Sequence, residues 1–367
     1  MKVLALATYP IEAAATRFRL AQFVGPLAER GIELDVRPFL DASQFARLYG
    51  RSSRARTAAG LARSLLRRCR DIAAGPRYDA VVVQREAMLL GPPVVEYVLG
   101  RLLRRPIVLD LDDATYLQYE SPTHGRLASA LKWFGKTDDL IRWARVVTCG
   151  NSSIADYVGR HGKPTVIIPT VVDTEQFRPR ATPAASEPPM LGWVGSHSTF
   201  PYLESIFPAL ETLARDRPVR LKVVGSGREA VRLAGVEVEC LEWHLGREVE
   251  DFQSIDIGLY PLPEQEWASG KSGFKSIQYM AVGIPFVVSP VGACAEIGEP
   301  GVTHLAASST ADWVQALNVL LSDPSLRRQM GDAGRRHSLA HYTVATQADR
   351  LAAVLRGLLT ENGPGPD

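Results

Sequence analysis

Short apolar runs alternate with helix-length stretches along this chain, and the whole alternation occurs twice. Residues 3–7, 32–36, 80–83, 107–109, 146–148 and 166–168 are apolar runs of strand length. Between the first two, Leu20, Phe23, Val24 and Leu27 recur at helical spacing, and Gly31 supplies a stop. Strands separated by helices predict parallel sheets with crossover helices, an α/β architecture. Residues 181–189, ATPAASEPP, carry no periodicity and read as a linker. The pattern then restarts. A run at 191–194 precedes a helical face of Leu203, Ile206, Phe207, Leu210 and Leu213, and further runs lie at 221–224, 236–241, 255–260 and 285–289. A last amphipathic helix is predicted over 344–359, with Ala348, Leu351, Ala352, Leu355 and Leu359 on its apolar face. Residues 362–367, with two Pro and two Gly, are expected to be disordered.

The length of 367 residues fits two domains at about 150 residues each. Cys69, Cys149, Cys240 and Cys294 lie far apart with no C-x-x-C, which argues against a zinc module or a disulfide scaffold. The N-terminal apolar run reads as a strand, not a signal peptide. No window is long and apolar enough for a transmembrane helix. The net charge of +2 hides an asymmetry: residues 1–180 hold 27 Lys and Arg against 18 Asp and Glu, and residues 181–367 hold 15 against 22. Eight arginines (Arg47, Arg51, Arg54, Arg56, Arg63, Arg67, Arg68 and Arg70) cluster in residues 47–70, interleaved with Leu61, Leu65, Leu66 and Cys69. Such a segment can lie on an anionic membrane surface, or it can be a solvated face. No nucleic-acid recognition motif or stacking platform accompanies it.

Glycines follow two predicted strands in the second half: Gly195 with Ser196, and Gly225-Ser226-Gly227. Glycine lets a backbone approach phosphate oxygens, and a following helix N-terminus favours anions; a tight strand–helix turn is the other reading. Residues 255–297 contain a strand, a polar loop with Gly270 and Gly273, a helix, then Gly283-Ile284-Pro285 and another strand. Lys271 stands just before that helix and Lys275 one turn in, positions suited to clamp a diphosphate, or to be solvated helix lysines. In the first half, Asp110-Leu111-Asp112-Asp113 follows a strand directly. This D-x-D pattern can mark a metal–diphosphate site, a helix N-cap, or a polar contact to a sugar through Asp112 or Asp113. Arg17 and Arg19 follow the first strand and are candidates to meet an acceptor phosphate, or form a surface pair.

Several of these stretches resemble the retaining glycosyltransferases of family 4. The resemblance is carried, in order, by VIIPTVVDTEQFRP at 166–179, LGWVGS at 191–196, LKVVGSG at 221–227, DIGLYPL at 256–262, GKSGFKSIQYMAVGIPFVVSPVG at 270–292, and Glu296. It covers the second half well and the first half in outline. It implies the GT-B fold: two Rossmann-like domains facing across a cleft, an acceptor domain at 1–180, a nucleotide-sugar donor domain at 190–343, and a helix at 344–360 crossing back to the first. It also implies sugar transfer with retention of configuration, to a glycan or lipid-linked acceptor. Gly195, Ser196, Gly225, Ser226, Gly227, Lys271, Lys275, Gln278 and Glu296 would meet the donor. Asp112, Asp113 and Lys271 are the candidates for catalysis, and Arg17 and Arg19 for the acceptor. Where the family has two glutamates separated by seven residues, this chain has Gly270 and Gln278; where it has an arginine after the first donor-domain strand, Ser196 and His197 stand. Lys271 or Lys275 would supply the lost positive charge, and Gln278 can still hydrogen-bond a ribose hydroxyl. No carboxylate stands out as a nucleophile, so charge stabilisation of a departing diphosphate would carry the chemistry. No cofactor and no metal ligand set is expected, and the setting is expected to be cytoplasmic, at the inner membrane face. A sugar-nucleotide epimerase or hydrolase, or a non-catalytic nucleotide-sugar-binding protein, are the rival readings.

Overall fold

The computed structural model describes residues 1–47, 54–117, 133, 135–181 and 188–360. The chain divides into two units, Met1–Thr170 with Val344–Asp367, and Val171–Thr343. The predicted alternation is realised in both.

The first unit contains strands β1 (Lys2–Ala7), β2 (Glu33–Pro38), β3 (Ala80–Gln84), β4 (Ile107–Leu111), β5 (Val146–Cys149) and β6 (Thr165–Ile167). They form one parallel sheet in the order β2-β1-β3-β4-β5-β6. β3 and β4 are buried throughout, as a sheet covered by helices on both faces requires. The order reverses between β1 and β3, which makes the carboxyl ends of these strands the topological switch point.

The apolar periodicity over 20–27 does not build one helix. Leu20 leaves helical geometry, and Pro26 is tolerated only near a helix start, so the segment becomes helix Ala14–Arg19, a tight turn at Ala21–Phe23 and helix Val24–Glu29. Leu20, Phe23 and Leu27 are buried, while Val24 is exposed. The last helix, Val344–Thr360, packs on Val24–Glu29 within this unit. Arg30 Nε meets Asp349 at 2.7 Å, and Arg356 Nη2 donates to the Arg30 carbonyl at 2.7 Å. Its buried face carries Ala348, Leu351, Ala352, Leu355 and Leu358; Leu359 is exposed, so the stripe closes at i+3 from Leu355 instead of i+4.

The basic segment is not one solvated face. Helix Arg54–Ala74 lies over the sheet, and Arg68 is 1% exposed. Its guanidinium donates to the carbonyls of Ala7 (2.7 Å), Arg37 (3.1 Å) and Ala87 (2.8 Å) and pairs with Asp71 at 2.8 Å. Arg68 therefore closes the carboxyl ends of β1 and β2 and the loop after β3. Arg67 is turned toward Gln44 (2.7 Å). Arg56, Arg63 and Arg70 are exposed beside exposed Leu65 and Leu66. Arg51 and the Arg54 side chain lie outside the described residues.

The second unit begins ten residues before the Pro- and Ala-rich stretch, because side chains bind 171–180 to it. Arg335 donates to the Thr174 and Phe177 carbonyls at 2.9 Å, Gln253 donates to the Arg178 carbonyl at 2.7 Å, and Arg180 pairs with Asp256 at 2.6 Å. Its strands are β7 (Met190–Val194), β8 (Val219–Val224), β9 (Val236–Leu241), β10 (Ile257–Tyr260), β11 (Phe286–Val288) and β12 (Leu305–Ala306). All are parallel, in the order β12-β11-β10-β7-β8-β9, which is the dinucleotide-fold order 3-2-1-4-5-6 read from β9. The switch point lies between β7 and β10. The two-residue β12 had no apolar run to announce it.

Helix Pro324–His341 sits tightly on helix Phe274–Ala281, because Gly334 faces it and Gly331 faces the turn that follows it. A Cβ at Gly331 would collide with the Gly283 carbonyl, and one at Gly334 would lie 3.1 Å from Met280 Cγ.

Candidate functional site

In the second unit the site is built on the carboxyl ends of β7, β8 and β10. The glycine turns after β7 and β8 pack on each other: Gly195 N–H donates to the Val224 carbonyl at 3.0 Å, and a Cβ at Gly225 would collide with the Gly195 carbonyl. Gly225 also has φ +80°, so no other residue fits there without strain. The serines of both turns serve the turns themselves. Ser196 N–H donates to Thr199 Oγ1 at 3.1 Å, and Ser226, buried, accepts from Arg228 N–H at 3.1 Å. What these loops offer a ligand is closely approached backbone, not free hydroxyls.

The helix Phe274–Ala281 carries the charged part. Gly273, at φ +63°, turns the chain into it and, as the N-cap residue, has no side chain to cap it. Tyr279 bolts this helix to the switch point. Its hydroxyl shares its one proton between the Gly192 carbonyl of β7 (3.2 Å) and the Leu259 carbonyl of β10 (3.1 Å), and its ring lies where a Cβ at Gly258 would be, 2.6 Å away. Burial pushes the phenol well above its ordinary range, so it remains a donor. Lys275 and Gln278 follow on the same helix: Lys275 Nζ donates to Gln278 Oε1 at 2.9 Å and sits 5.3 Å from the Phe252 ring centroid. Gln278 is fully buried, and its Nε2 has no hydrogen-bond partner among the described residues. Lys271 Nζ stands 5.3 Å from the Trp267 ring centroid. The loop after β11 touches the same region, since a Cβ at Gly292 would strike the Ser269 backbone. Glu296 is exposed at its end and, together with burial, raises the Tyr342 phenol. Sequence reasoning named the lysines and Gln278 but missed Tyr279, whose aromatic ring reads as ordinary core.

In the first unit the structure redistributes the candidates. Arg19 is buried and forms a two-pronged pair with Asp110, with Nε to Oδ2 at 3.0 Å; its Nη1 donates to the Ile168 carbonyl. It holds the sheet end together and does not face an acceptor phosphate. Arg17 Nη1 donates to the Ile11 and Glu12 carbonyls at 3.2 and 3.3 Å and leans on Phe18. Asp112 is buried against Arg85, with Nε at 2.5 Å and Nη2 at 2.8 Å; Asp113 receives the same Nη2 at 3.2 Å. Burial pushes the Asp112 carboxyl up, but Arg85 and Arg19 outweigh it and hold it below the usual range. Burial likewise opposes the Arg85 charge, and Asp112 and Asp113 outweigh it. The D-x-D carboxylates are therefore each taken by a guanidinium, and no group of His, Cys, Asp or Glu suited to a metal ion occurs among the described residues. No helix follows at 114–117, so an N-cap role also falls away. Arg85 was missed: an arginine after a strand reads as surface. The signal that could have found it is its place directly after β3, at the β1/β3 switch.

Residues 208–353 match a family model described as glycosyl transferase-like. The GDP-mannose-dependent monoacylated alpha-(1-6)-phosphatidylinositol monomannoside mannosyltransferase of Corynebacterium glutamicum is 27% identical over 164 residues, 42% of this chain and 43% of that protein. The chain thus spans less than half the length of the curated relative it matches. Among solved structures, sucrose-phosphate synthase from Thermosynechococcus elongatus superposes with a TM-score of 0.69 at 16% identity, covering 98% of this chain and 99% of that one. Anabaena HepE in complex with UDP-glucose gives 0.69 at 15%, covering 97% and 100%. A glycosyltransferase from Rickettsia africae gives 0.70 at 11%, covering 99% of each chain. At these identities the likeness establishes a shared fold. The chain has the GT-B fold, with a glycosyl transferase-like segment at residues 208–353.

Proposed function

We propose that this chain transfers a sugar from a nucleotide-sugar donor to an acceptor hydroxyl, with retention of configuration, the second unit holding the donor and the first the acceptor. The observation that carries the reading is the helix Phe274–Ala281, whose glycine-led N-terminal turn, Lys275 and Gln278 are fixed by Tyr279 at the β7/β10 switch point. A diphosphate placed there would meet backbone N–H groups and lysine charge together, the arrangement that stabilises a departing anion. Gln278 Nε2, buried without an acceptor among the described residues, suits a ribose hydroxyl oxygen. Support for a nucleotide sugar comes from the HepE complex, which holds UDP-glucose, and from the mannosyltransferase, which is named for GDP-mannose. Chemistry proceeds without a resident metal, Lys271 and Lys275 supplying the positive charge.

The acceptor is a glycan or lipid-linked molecule, presented at the anionic inner face of a membrane. Exposed Arg56, Arg63 and Arg70 beside Leu65 and Leu66 support that setting. No described helix is long and apolar enough to cross a membrane.

The test is turnover. Purified protein is incubated with UDP-glucose or GDP-mannose and a membrane lipid extract, and products are read by mass spectrometry. Appearance of a glycosylated product with retained anomeric configuration supports the reading. Conversion of the donor alone to an epimer or free sugar, or nucleotide binding with no conversion, would replace it.

A further inference from the structure

Helix Arg54–Ala74 connects the edge strand β2 to β3, and beside it lies a cavity of about 240 Å³ lined by Val36, Arg37, Pro38, Arg67, Arg70 and Asp71. The strand supplies Arg37, and the helix supplies Arg67, Arg70 and Asp71, which share a face at i, i+3 and i+4. The cavity belongs to the edge of the sheet, not to the β1/β3 switch point.

The one carboxylate in this lining is already taken. Asp71 accepts from Arg37 Nη1 at 3.0 Å and, through its other oxygen, from Arg68 Nη1 at 2.8 Å. Arg37 also donates to Asp35, from Nη2 at 2.8 Å and Nε at 3.1 Å, and from Nη2 to the Tyr78 hydroxyl at 2.9 Å. One Nη1 hydrogen of Arg37 is then left without an acceptor among the described residues. Arg67 Nη2 donates to Gln44 Oε1 at 2.7 Å and reaches Asp41 at 3.4 Å, while its Nε is buried with no acceptor among the described residues. Arg70 is exposed and pairs with no carboxylate among the described residues. Asp35, Asp41 and Asp71 therefore stand against four guanidiniums, those of Arg37, Arg67, Arg68 and Arg70, and a positive excess remains at the cavity. A buried guanidinium N–H without an acceptor is costly, and an anion would satisfy it.

We infer that this cavity binds a phosphate group, held by Arg67 Nε, the spare Nη1 hydrogen of Arg37 and the guanidinium of Arg70. Planar guanidinium donors match phosphate oxygens, and three of them outnumber the single, saturated carboxylate of the lining. The inference stands apart from the glycosyl-transfer reading. The same chemistry serves a soluble phosphomonoester and the headgroup of an anionic lipid. Leu66 is exposed one turn from Arg70 on the same face, where the acyl part of a lipid would follow its headgroup.

The experiment follows the arginine Nε–H resonances of the full chain by proton–nitrogen NMR as inorganic phosphate is added, the Arg67 signal being the one lost in Arg67→Lys. Phosphate should shift that signal saturably, and Arg70→Gln should raise the dissociation constant roughly tenfold or more, the worth of one charge-assisted hydrogen bond. Arg63→Gln removes the same charge from the same helical face but not from the cavity, and should leave the constant within about twofold. Arg70→Gln, at an exposed position, keeps the test valid if Arg67→Lys fails to fold, with affinity then read by calorimetry. A second arm uses phosphatidylcholine vesicles with and without phosphatidic acid. Binding only to the phosphatidic acid vesicles, weakened more by Arg70→Gln than by Arg63→Gln and without a response to free phosphate, assigns the site to a lipid headgroup. No response to either probe, equal affinity in wild type and Arg70→Gln, or equal losses in Arg63→Gln and Arg70→Gln would overturn the proposal.

Discussion

The Tyr279 hydroxyl donates to the Gly192 carbonyl at 3.2 Å, tying the helix that carries Lys275 and Gln278 to the central strand of its sheet. The geometry of the candidate donor site therefore depends on a core residue that touches no ligand. Tyr279→Phe keeps the ring and removes the donor. It should destabilise the protein by about 1–2 kcal/mol in urea unfolding, since buried carbonyls lose a partner. Nucleotide-sugar affinity should fall in parallel; an unchanged midpoint with unchanged affinity would mean the hydroxyl does not set the helix.

Gly225→Ala tests the paired glycine turns. Its Cβ would strike the Gly195 carbonyl at a position where φ is +80°. A loss of about 1–3 kcal/mol is expected from strain alone. Gly246→Ala, where nothing lies within 4 Å of the added carbon, serves as the control and should be near neutral.

The arginines of helix Arg54–Ala74 should separate into two classes. Arg68→Gln leaves Asp71 and three carbonyls short of donors and should cost about 3–5 kcal/mol. Arg63→Gln with Arg70→Gln should leave stability within roughly 0.5 kcal/mol, as exposed substitutions do. That double variant should weaken sedimentation with anionic vesicles, each arginine contributing on the order of 1 kcal/mol. Equal sedimentation of wild type and variant would show that this face is merely solvated.

His304 gives a pH dependence with a definite sign. It is buried, stacks on Phe286 at 5.0 Å, and meets Thr303 Oγ1 at 2.9 Å. Burial, with His337 nearby, pushes its pKa down to about 4. The folded state therefore holds the neutral ring, while the unfolded chain takes up a proton near the ordinary value. Its contribution is complete above about pH 6.5 and is lost progressively down to about pH 4, a span of order 3 kcal/mol. Urea unfolding from pH 7 to 5 should show about 2 kcal/mol of this loss, and His304→Gln should flatten the slope. An unchanged slope would place the acid sensitivity elsewhere.

Much of the strand pattern was legible because the inner β-runs, such as β1, β3 and β11, are apolar on both faces, the mark of a parallel sheet covered on both sides, while the edge strands β2 and β9 alternate with charged residues. The exceptions have physical causes. β12 is two residues long and carries no pattern, and Leu358 with Leu359 offers two equally good closures of a helical stripe. The candidate site was legible where glycine and lysine stand at strand and helix ends. Side-chain partners were not: nothing in the string of residues tells that Arg19 turns inward to Asp110, Arg68 to three carbonyls, and Arg85 to Asp112. Each of these pairings joins distant strands or loops, and only the sheet order brings them together.

The central claim is that a nucleotide sugar sits on the N-terminal turn of helix Phe274–Ala281. Isothermal titration of UDP-glucose and GDP-mannose into wild type and Lys275→Ala tests it most directly. The account predicts that at least one donor binds the wild type and that Lys275→Ala weakens it roughly ten- to hundredfold, a charge-assisted hydrogen bond to the diphosphate. Binding of neither donor, or equal affinity in the two proteins, would contradict it.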